Sequence, residues 1–254
     1  MIDYDFHIHT EYCGHAKGML VEQIIRRADE RGLCAIAITD HVFGERSRGN
    51  IELIRRQAEG VDHKCRVIIG AEVDVDGLAL DGRLVTDRFE GIDYVIGSIH
   101  YVPGEGNYPN CPEDLTIGAE EMLERWSKSL LGLVSNERVD TLSHPGRLIA
   151  TGLEFDPFWG DILAVFSEAG ELSAKNNIMW EINELNGEKL RAEYRQRWHE
   201  IYEVAIDKGV KLIFGSDAHR IGDIGKCDFA YDLVERLGGD CLCGADIIGA
   251  GRNG

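Results

Sequence analysis

The stretch Leu212-Ile213-Phe214-Gly215-Ser216-Asp217-Ala218-His219 is a short apolar run that ends in an acid and a histidine. Five other apolar runs along the chain end in the same way, with a histidine, a carboxylate or both. Their endings are His7-Ile8-His9, Asp40-His41, Glu72, His100 and His144. In a barrel of parallel strands, the chemistry lies where the strands end and the loops begin. Packing alone does not account for six such endings, so the sequence predicts one polar site at the mouth of a barrel.

Apolar runs alternate with amphipathic stretches along the chain, which is typical of parallel strands with helices outside them. We predict seven strands, at residues 2–6, 34–39, 66–75, 94–99, 139–143, 178–183 and 210–215. Helices are predicted at residues 19–31, 51–59, 117–135, 158–170, 189–208 and 228–237. No Pro-, Gly- or Ser-rich linker separates them, so we expect an α/β fold with residues 1–254 in a single, closed or nearly closed barrel domain. Residues 1–237 form its core, 238–254 a Gly-rich tail and 101–115 a loop beside the site.

The composition of the chain indicates which cellular compartment and which classes of binding partner to expect. The formal net charge of −18 over 254 residues makes a long nucleic acid an unfavourable partner, because proteins that bind phosphate backbones carry basic surfaces. No apolar run approaches the roughly 20 residues that cross a bilayer, and the N-terminal residues lack a signal-like pattern. Seven scattered cysteines, an odd number, favour reduced thiols in the cytoplasm. Cys241 and Cys243 lack the second half of a zinc ribbon, so we expect them to be structural or incidental.

The histidines and acids are spaced as metal ligands. His7 and His9 lie two residues apart at a strand end, and so do Asp217 and His219. Residues i and i+2 of a strand point to the same side and can bind one ion together. His15, in the loop after the first pair, is a further candidate. Because imidazole is the commonest ligand for zinc and suits iron, and because carboxylates bridge ion pairs, the pattern predicts a site for more than one metal ion.

In this order, the motifs resemble the polymerase-and-histidinol-phosphatase (PHP) superfamily, and the resemblance covers about residues 1–237. It rests on His7-x-His9, His15, Asp40-His41, Glu72, His100, His144-Pro145-Gly146 and Ser216-Asp217-Ala218-His219. The resemblance implies a distorted (β/α)7 TIM-like barrel with two to three zinc, manganese or iron ions at the carboxyl ends of its strands. By the same resemblance, the ligand sets are His7, His9, Glu72 and Asp217 for one ion, Glu72 (as a bridge), His100 and His144 for a second, and His15, His41 and His219 for a third.

The expected reaction is hydrolysis of a phosphoester. A bound metal lowers the pKa of a water molecule from 15.7 to roughly 7, which supplies the nucleophile. Basic side chains bind the phosphoryl oxygens, and arginine is well suited to do so in a bidentate manner. The basic residues nearest to the ligands in sequence are Lys17, Arg147 and Arg220, with Arg46 and Arg48 as weaker candidates. The candidate catalytic residues are Arg147, Arg220, Asp217 and His219, and the general acid stays open between Asp217 and a histidine of the third site.

The loop Tyr12-Cys13-Gly14-His15-Ala16 resembles the histidinol-phosphatase branch of the superfamily. It implies a small phosphomonoester as substrate, such as L-histidinol phosphate. One alternative is a nuclease or nucleotide phosphodiesterase that uses the same trinuclear site, and another is a non-catalytic, polymerase-associated metal-binding module. A closed pocket with one or two arginines favours the monoesterase, whereas an open basic trough favours the nuclease. The sequence does not indicate the oligomeric state, and we expect no membrane partner.

The sequence does not decide the roles of several other polar residues. Asp40 is a candidate to orient a ligand histidine. Glu181 and Asn183 end the one predicted strand without a histidine, and they either line the pocket or cap the barrel. Cys13 lies between ligands but lacks an evident base and oxyanion hole, and His63 and His199 are expected at the surface.

Overall fold

Parallel strands form the centre of the molecule. The computed structural model describes residues 2–107 and 115–248, and the strands within these residues are β1 (Tyr4–Ile8), β2 (Ala35–Ile38), β3 (His41–Val42), β4 (Arg66–Asp74), β5 (Tyr94–Ser98), β6 (Thr141–Leu142), β7 (Met179–Asn183) and β8 (Leu212–Gly215). Their order is β1-β2-β4-β5-β6-β7-β8, with β3 paired to β4 beside this path. The path has the seven strands that the sequence predicts, and the two-residue β3 is an additional element.

The barrel is nearly closed between its first and last strands. The backbone N–H of Asp217 donates to the oxygen of His7 at 2.8 Å, and the N–H of His9 donates to the oxygen of Ala218 at 3.0 Å. These bonds join β1 to the segment that follows β8, and Ile8 and Ala218 form an isolated parallel bridge there. The prediction of a distorted (β/α)7 barrel is therefore confirmed.

Helices lie between the strands in sequence. They are α1 (Val21–Arg31), α2 (Glu45–Arg48), α3 (Asn50–Glu59), α4 (Ala119–Leu133), α5 (Trp159–Asn176), α6 (Glu184–Lys189), α7 (Ala192–Arg197), α8 (His199–Asp207) and α9 (Asp228–Arg236). Helix α1 shows why they form: it buries Val21, Ile24, Ile25 and Ala28 at helical spacing and ends at Gly32. Gly32 has a φ of 71°, in the left-handed region that glycine adopts without strain.

The prediction of one helix over residues 189–208 was wrong. Leu190 and Arg191 have extended ψ angles of 136° and 148°, so α6 ends before them and α7 begins after them. A second interruption lies at Trp198, between α7 and α8. Trp198 is buried, and Tyr194 is buried with its ring 5.9 Å from that of Trp159. Tertiary packing of large aromatic side chains thus overrides the helical propensity of this stretch.

The interior of the strands is apolar at the end away from the polar site. Tyr4 and Phe6 stack at 4.5 Å between ring centroids, and Phe6 meets Tyr94 edge-on at 6.2 Å. Every residue of β2, β5 and β7 is buried. Burial on both faces is typical of parallel strands that are covered by helices. No helix of the described residues is long and apolar enough to cross a membrane.

The segment after α9 packs against the amino ends of the strands. Leu242 forms a parallel bridge with Leu212, and the hydroxyl of Tyr4 donates to the backbone oxygen of Cys243 at 2.9 Å. Arg66 Nη1 donates to the backbone oxygen of Ile248 at 2.8 Å. The Cys241–Cys243 pair therefore lies at the end of the barrel opposite the strand endings. The rest of the predicted tail, residues 249–254, and residues 108–114 of the predicted loop lie outside the described residues.

Candidate metal-binding active site

The carboxyl ends of the strands bring the nine predicted ligand residues into one cluster. Neighbouring histidine rings are 4.2 to 5.2 Å apart along the series His144, His100, His41, His9 and His219. Among the described residues, the groups whose ligand atoms all lie within 4.8 Å of one another include His7, His9 and Asp217; Glu72, His100 and His144; and His15, His41 and His219. These groups overlap with the ligand sets that the resemblance implies, and other combinations of the same residues, such as His9, His41 and Glu72, are equally close.

The first group lies where β1 departs from regular pairing. Asp5 pairs with Ile36 and Ile8 with Ile38, so β1 has one more residue than β2 in this interval. Such a bulge re-aims side chains and is common beside active sites. Here His7 and His9 face each other with their Nε2 atoms 3.0 Å apart. His9 Nε2 is also 3.1 Å from Asp217 Oδ1, so three ligand atoms converge on one point.

Glu72 lies between the first and second groups. Its Oε1 is 3.0 Å from His144 Nε2 and 3.5 Å from His100 Nε2. Its Oε2 is 3.3 Å from His7 Nε2 and 2.8 Å from His41 Nδ1. One oxygen therefore faces each group, which is the arrangement that a bridging carboxylate requires.

The third group is closer to solvent. The ring of His15 is 4.8 Å from that of His219 and 5.1 Å from that of His41. His15 is exposed, His219 is half-buried and His41 is buried. The His15 ring is partly covered by its neighbours, and this partial burial together with the nearby His41 lowers its pKa to about 4, so the imidazole is neutral near pH 7.

Hydrogen bonds to Nδ1 orient three of the histidines. The pairs are His7 with Glu181 Oε1 at 2.7 Å, His100 with Asp74 Oδ2 at 2.6 Å, and His219 with the backbone oxygen of Asp217 at 2.9 Å. A neutral imidazole has a single N–H, so an Nδ1–H that donates leaves a lone pair on Nε2. The Nε2 lone pairs of these histidines are therefore available to a metal ion.

Asp40 and Glu181, whose roles the sequence left open, support the cluster from behind. Asp40 accepts from the backbone N–H and the hydroxyl of Thr10, both at 2.5 Å, and its Oδ1 lies 3.8 Å from His9 Nδ1. Glu181 is fully buried and also accepts from the backbone N–H of His144 at 2.9 Å. Glu181 thus contacts two residues of the cluster and does not cap the barrel.

Sequence reasoning missed Asp5 and Asp74, which are both buried. Asp5 accepts from the backbone N–H of Ser216 at 2.9 Å and from its hydroxyl at 2.6 Å, which fixes the start of the Asp217 segment. Asp74 accepts from both the backbone and the ring of His100. A signal was present, because Asp5 lies two residues before His7 and Asp74 two residues after Glu72 on their strands.

Two residues of the cluster adopt backbone conformations that are uncommon for residues other than glycine. His144 has a φ of 25° and Asp217 a φ of 57°. Left-handed conformations of this kind cost about 1–3 kcal/mol each and persist where the surrounding structure enforces them. Gly215 is needed for a different reason: a Cβ there would lie 2.6 Å from His7 Cβ and closer still to Oε1 of Glu181.

Comparison with known proteins identifies the family of this chain. Residues 5–185 match the model of the PHP domain family. The chain belongs to the PHP domain family. A probable phosphatase from Clostridium acetobutylicum is 30% identical over 92% of this chain and 85% of its own length, and one from Caldanaerobacter subterraneus is 28% identical over 92% and 82%. Like these relatives, this PHP domain is a hydrolase that acts on phosphoester bonds.

Solved structures share the fold of this PHP domain. A histidinol phosphate phosphatase from Lactococcus lactis, solved with zinc, L-histidinol and phosphate, superimposes with a TM-score of 0.67 at 19% identity. The match covers 93% of this chain and 94% of that chain. At this identity, the likeness establishes the barrel fold.

The PHP domain has the donor set that divalent ions require. Three of the buried side-chain atoms without a hydrogen-bond partner belong to the cluster, and they are His9 Nδ1, His41 Nδ1 and Glu72 Oε2. Two of them, His41 Nδ1 and Glu72 Oε2, face each other at 2.8 Å without hydrogen-bond geometry. Buried polar atoms are rarely left unsatisfied, so this pair indicates a shared partner. Divalent metal ions fit this arrangement of imidazole and carboxylate donors.

Electrostatics in the cluster also favour cations. Burial opposes the charged form of Glu72, but the histidines around it, His7 and His100 foremost, outweigh that effect and hold its pKa well below the ordinary value. Asp217 behaves likewise: burial opposes its charge, whereas His7 and His9 lower its pKa well below the ordinary value. Both carboxylates are therefore ionised near pH 7 and supply negative charge to bound cations.

The predicted phosphate-binding residues differ in position. Arg147 is half-buried and lines pockets with His100 on one side and with His144 on the other. Lys17 and Arg220 are exposed, and each follows a cluster histidine closely in sequence. Arg46 lines an open groove with Tyr12 at the surface, whereas Arg48 donates to the backbone oxygen of Glu90.

Two other predictions concern residues beside the cluster or away from it. Burial raises the pKa of Cys13 to about 11, so this thiol is protonated near pH 7 and is a poor nucleophile. His63 is exposed, as expected, whereas His199 is half-buried and its Nε2 lies 3.9 Å from Glu203 on the same helix.

Proposed function

We propose that this PHP domain is a metal-dependent phosphatase that hydrolyses a small phosphomonoester. The observation that carries the proposal is the convergence of three ligand groups, linked by Glu72, beside a half-buried Arg147. We assign the ligands as His7, His9, Glu72 and Asp217; Glu72, His100 and His144; and His15, His41 and His219. Bound divalent ions would lower the pKa of an attacking water molecule and neutralise charge on the phosphoryl oxygens.

The side chains around the ions have distinct tasks. Arg147 binds the phosphoryl oxygens and compensates for the charge that develops on them. Lys17 and Arg220 add positive charge at the rim. Asp217 is ionised near pH 7 and is the candidate to accept a proton from the attacking water, whereas the general acid is either Asp217 or a histidine of the third group. His219 holds its place through its bond to the backbone of Asp217 and completes the candidate catalytic set.

A monoester is favoured over a nucleic acid by the shape and charge of the mouth. The pocket that shares His100 with the cluster has Arg147 as its arginine and is otherwise mostly apolar among the described residues. A pocket with one arginine, rather than a basic trough, supports the monoesterase alternative. The net charge of −18 also disfavours a long polyanion. L-histidinol phosphate is the first substrate to test, because a structural neighbour was solved with L-histidinol and phosphate.

The test compares substrates on protein of known metal content. Metal-free protein is reconstituted separately with zinc, manganese and iron(II), and rates are measured with p-nitrophenyl phosphate, L-histidinol phosphate and the diester bis-p-nitrophenyl phosphate. We expect kcat/KM for a monoester to exceed that for the diester by at least about tenfold. Absence of metal-dependent hydrolysis, or a preference for the diester, would overturn the proposal.

A pair of histidine variants separates the site from general effects. We expect His9→Ala to lose bound metal and hydrolysis while the far-UV circular dichroism spectrum is retained. His63→Ala is the matched control, because His63 is exposed and its Nδ1 contacts the backbone oxygen of Cys65 at 2.7 Å. Equal metal content and turnover in the two variants would contradict the ligand assignment.

A further inference from the structure

Cys13 lies beside the metal-binding cluster, although it is not one of the nine predicted ligands. Its sulfur atom and one ring nitrogen each of His9 and His219 all lie within 4.8 Å of one another. Zinc binds sulfur at about 2.3 Å and nitrogen at about 2.0 Å, so a sulfur and a nitrogen on opposite sides of one ion are about 4.3 Å apart. The three atoms are therefore at or close to the spacing that a shared ion requires.

Backbone hydrogen bonds hold Cys13 in this position. The residues after β1 form a single helical turn, Glu11–Cys13, in which the backbone N–H of Cys13 donates to the backbone oxygen of Thr10 at 3.2 Å. Thr10 is itself fixed, because Asp40 accepts from both its backbone N–H and its hydroxyl. Since Thr10 directly follows His9 in the chain, the turn places the thiol at a defined position relative to the His9 ring.

His9 has one ring nitrogen that the first ligand group does not use. Its Nε2 is 3.0 Å from His7 Nε2 and 3.1 Å from Asp217 Oδ1. Its Nδ1 is buried and has no hydrogen-bond partner among the described residues, and Oδ1 of Asp40 is 3.8 Å away, beyond the range of a hydrogen bond. Buried polar atoms are rarely left unsatisfied, so Nδ1 is available to a further ion.

His219 and the thiol also have surroundings that suit a metal ligand. Nδ1 of His219 is 2.9 Å from the backbone oxygen of Asp217, to which it donates, so Nε2 keeps its lone pair. Burial raises the pKa of Cys13, and the backbone N–H groups of His15 and Ala16 act in the opposite direction. These N–H groups favour the thiolate, which is the form that binds a metal ion.

We propose that Cys13 is a thiolate ligand, which binds one ion together with His9 and His219. This inference rests on the metal-dependent function proposed above and adds a tenth ligand residue to it. Binding forms a sulfur–metal bond and releases the thiol proton to solvent. Thiolate is a soft ligand that suits zinc, whereas manganese prefers carboxylate, carbonyl and water ligands. Cys13 therefore makes this position of the cluster selective for zinc over manganese.

The first test uses cobalt(II), whose bond to a thiolate gives an intense absorption band in the near ultraviolet. Reduced, metal-free protein is titrated with cobalt(II), and the bound cobalt is counted in the same sample. We expect the band in the wild type and its loss in Cys13→Ser. Cys34→Ser is the matched control and should keep the band, because Cys34 is exposed and its backbone N–H donates to Asp3, at the opposite end of the barrel.

Two results of the cobalt titration would overturn the inference. One is cobalt binding to the wild type without the band, which does not depend on whether any variant folds. The other is a band of equal intensity in the wild type and in Cys13→Ser, because the sulfur would then come from another cysteine.

The second test measures the selectivity for metal ions. Affinities for zinc and for manganese are determined by competition with chelators of known affinity, in the wild type, Cys13→Ser and Cys34→Ser. We expect Cys13→Ser to lower the zinc affinity of one bound equivalent at least about tenfold, since even interactions that only support a ligand are worth that much. The manganese affinity should change less than about twofold. Equal losses for both ions, or an unchanged zinc affinity, would contradict the proposal.

The ligand inference and the proposed function fail in distinguishable ways. If the wild type binds cobalt with the sulfur band but hydrolyses no phosphomonoester, Cys13 is a ligand and the phosphatase proposal fails. If hydrolysis depends on metal but the sulfur band is missing, the phosphatase proposal stands and Cys13 is not a ligand. If the wild type binds none of these ions, both proposals are wrong.

Discussion

Glu181 Oε1 lies 2.7 Å from Nδ1 of His7, and both side chains are fully buried. This bond joins the end of β7 to the end of β1, across 174 residues of sequence. It fixes His7 with its Nε2 toward Glu72 and His9, where the first ligand group converges. Without a metal ion, burial opposes protonation of His7, but the carboxylates of Glu181 and Glu72 outweigh it and raise its pKa well above the ordinary value. A metal ion that binds at Nε2 would therefore displace a proton from this ring.

Removing the charge of Glu181 should loosen the metal-binding cluster. Glu181→Gln keeps the volume of the side chain but weakens the acceptor for His7, and such supporting interactions are worth about 10–100-fold in metal affinity. We expect a loss of that size, measured by competition with a chelator of known affinity. Glu203→Gln, at an exposed site on α8, is the control. Equal affinities in the two variants would show that the bond does not support metal binding.

A methyl group at Gly215 should force Glu181 and His7 apart. The added Cβ would lie 2.6 Å from His7 Cβ, and overpacking of this kind costs about 1–3 kcal/mol. We expect Gly215→Ala to lower the free energy of unfolding in urea by that amount and to reduce metal content. At Gly160, in α5, no atom lies within 4 Å of the position of an added Cβ, so Gly160→Ala should not be destabilising. Equal stability of both variants would mean that the close approach at Gly215 is relaxed in solution.

Asp74 should tune the second ligand group. Asp74→Asn exchanges a charged acceptor for an amide beside His100 Nδ1, where the present distance is 2.6 Å. We expect the affinity of one bound metal equivalent to fall at least about tenfold, measured by titration of metal into metal-free protein. Asp76→Asn is a matched control two residues further on, where the carboxylate accepts from the backbone N–H of Leu78 at 3.0 Å. Identical titration curves for the two variants would argue against an orienting role for Asp74.

Glu184 should make stability depend on pH away from the cluster. It accepts from the backbone N–H groups of Phe229 and Ala230, both at 2.9 Å, at the start of α9. Burial raises the pKa of Glu184, although these two bonds partly oppose the rise. A folded pKa above the unfolded value makes the ionised form less favourable in the folded protein, so this group lowers stability as pH rises from about 4.5 through the folded pKa.

The measurement is urea unfolding of wild-type protein and Glu184→Gln from pH 4 to pH 7. We expect the free energy of unfolding of the wild type to fall relative to that of the variant across this range, because glutamine does not ionise. A difference that grows with pH in favour of the wild type would show that the two backbone bonds dominate over burial.

The sequence alone was sufficient to predict the barrel fold and to predict that the nine residues of the cluster lie close together. Alternation of apolar runs with amphipathic stretches is a local pattern, and parallel strands bring their carboxyl ends to one rim whatever the loops do. The positions of His7, Glu72 and His144 at strand ends therefore predict their proximity without knowledge of any distance.

Contacts between distant segments were decided only by the tertiary structure. From the sequence, Glu181 could either line the pocket or cap the barrel. Its contact with His7 forms only because the barrel closes and brings β7 and β1 to the same rim. The interruption between α7 and α8 at Trp198 and the pocket beside Arg147 also depend on which side chains of different helices pack against each other. The spacing of residues along the chain does not predict these contacts, because they depend on packing between elements that are far apart in sequence.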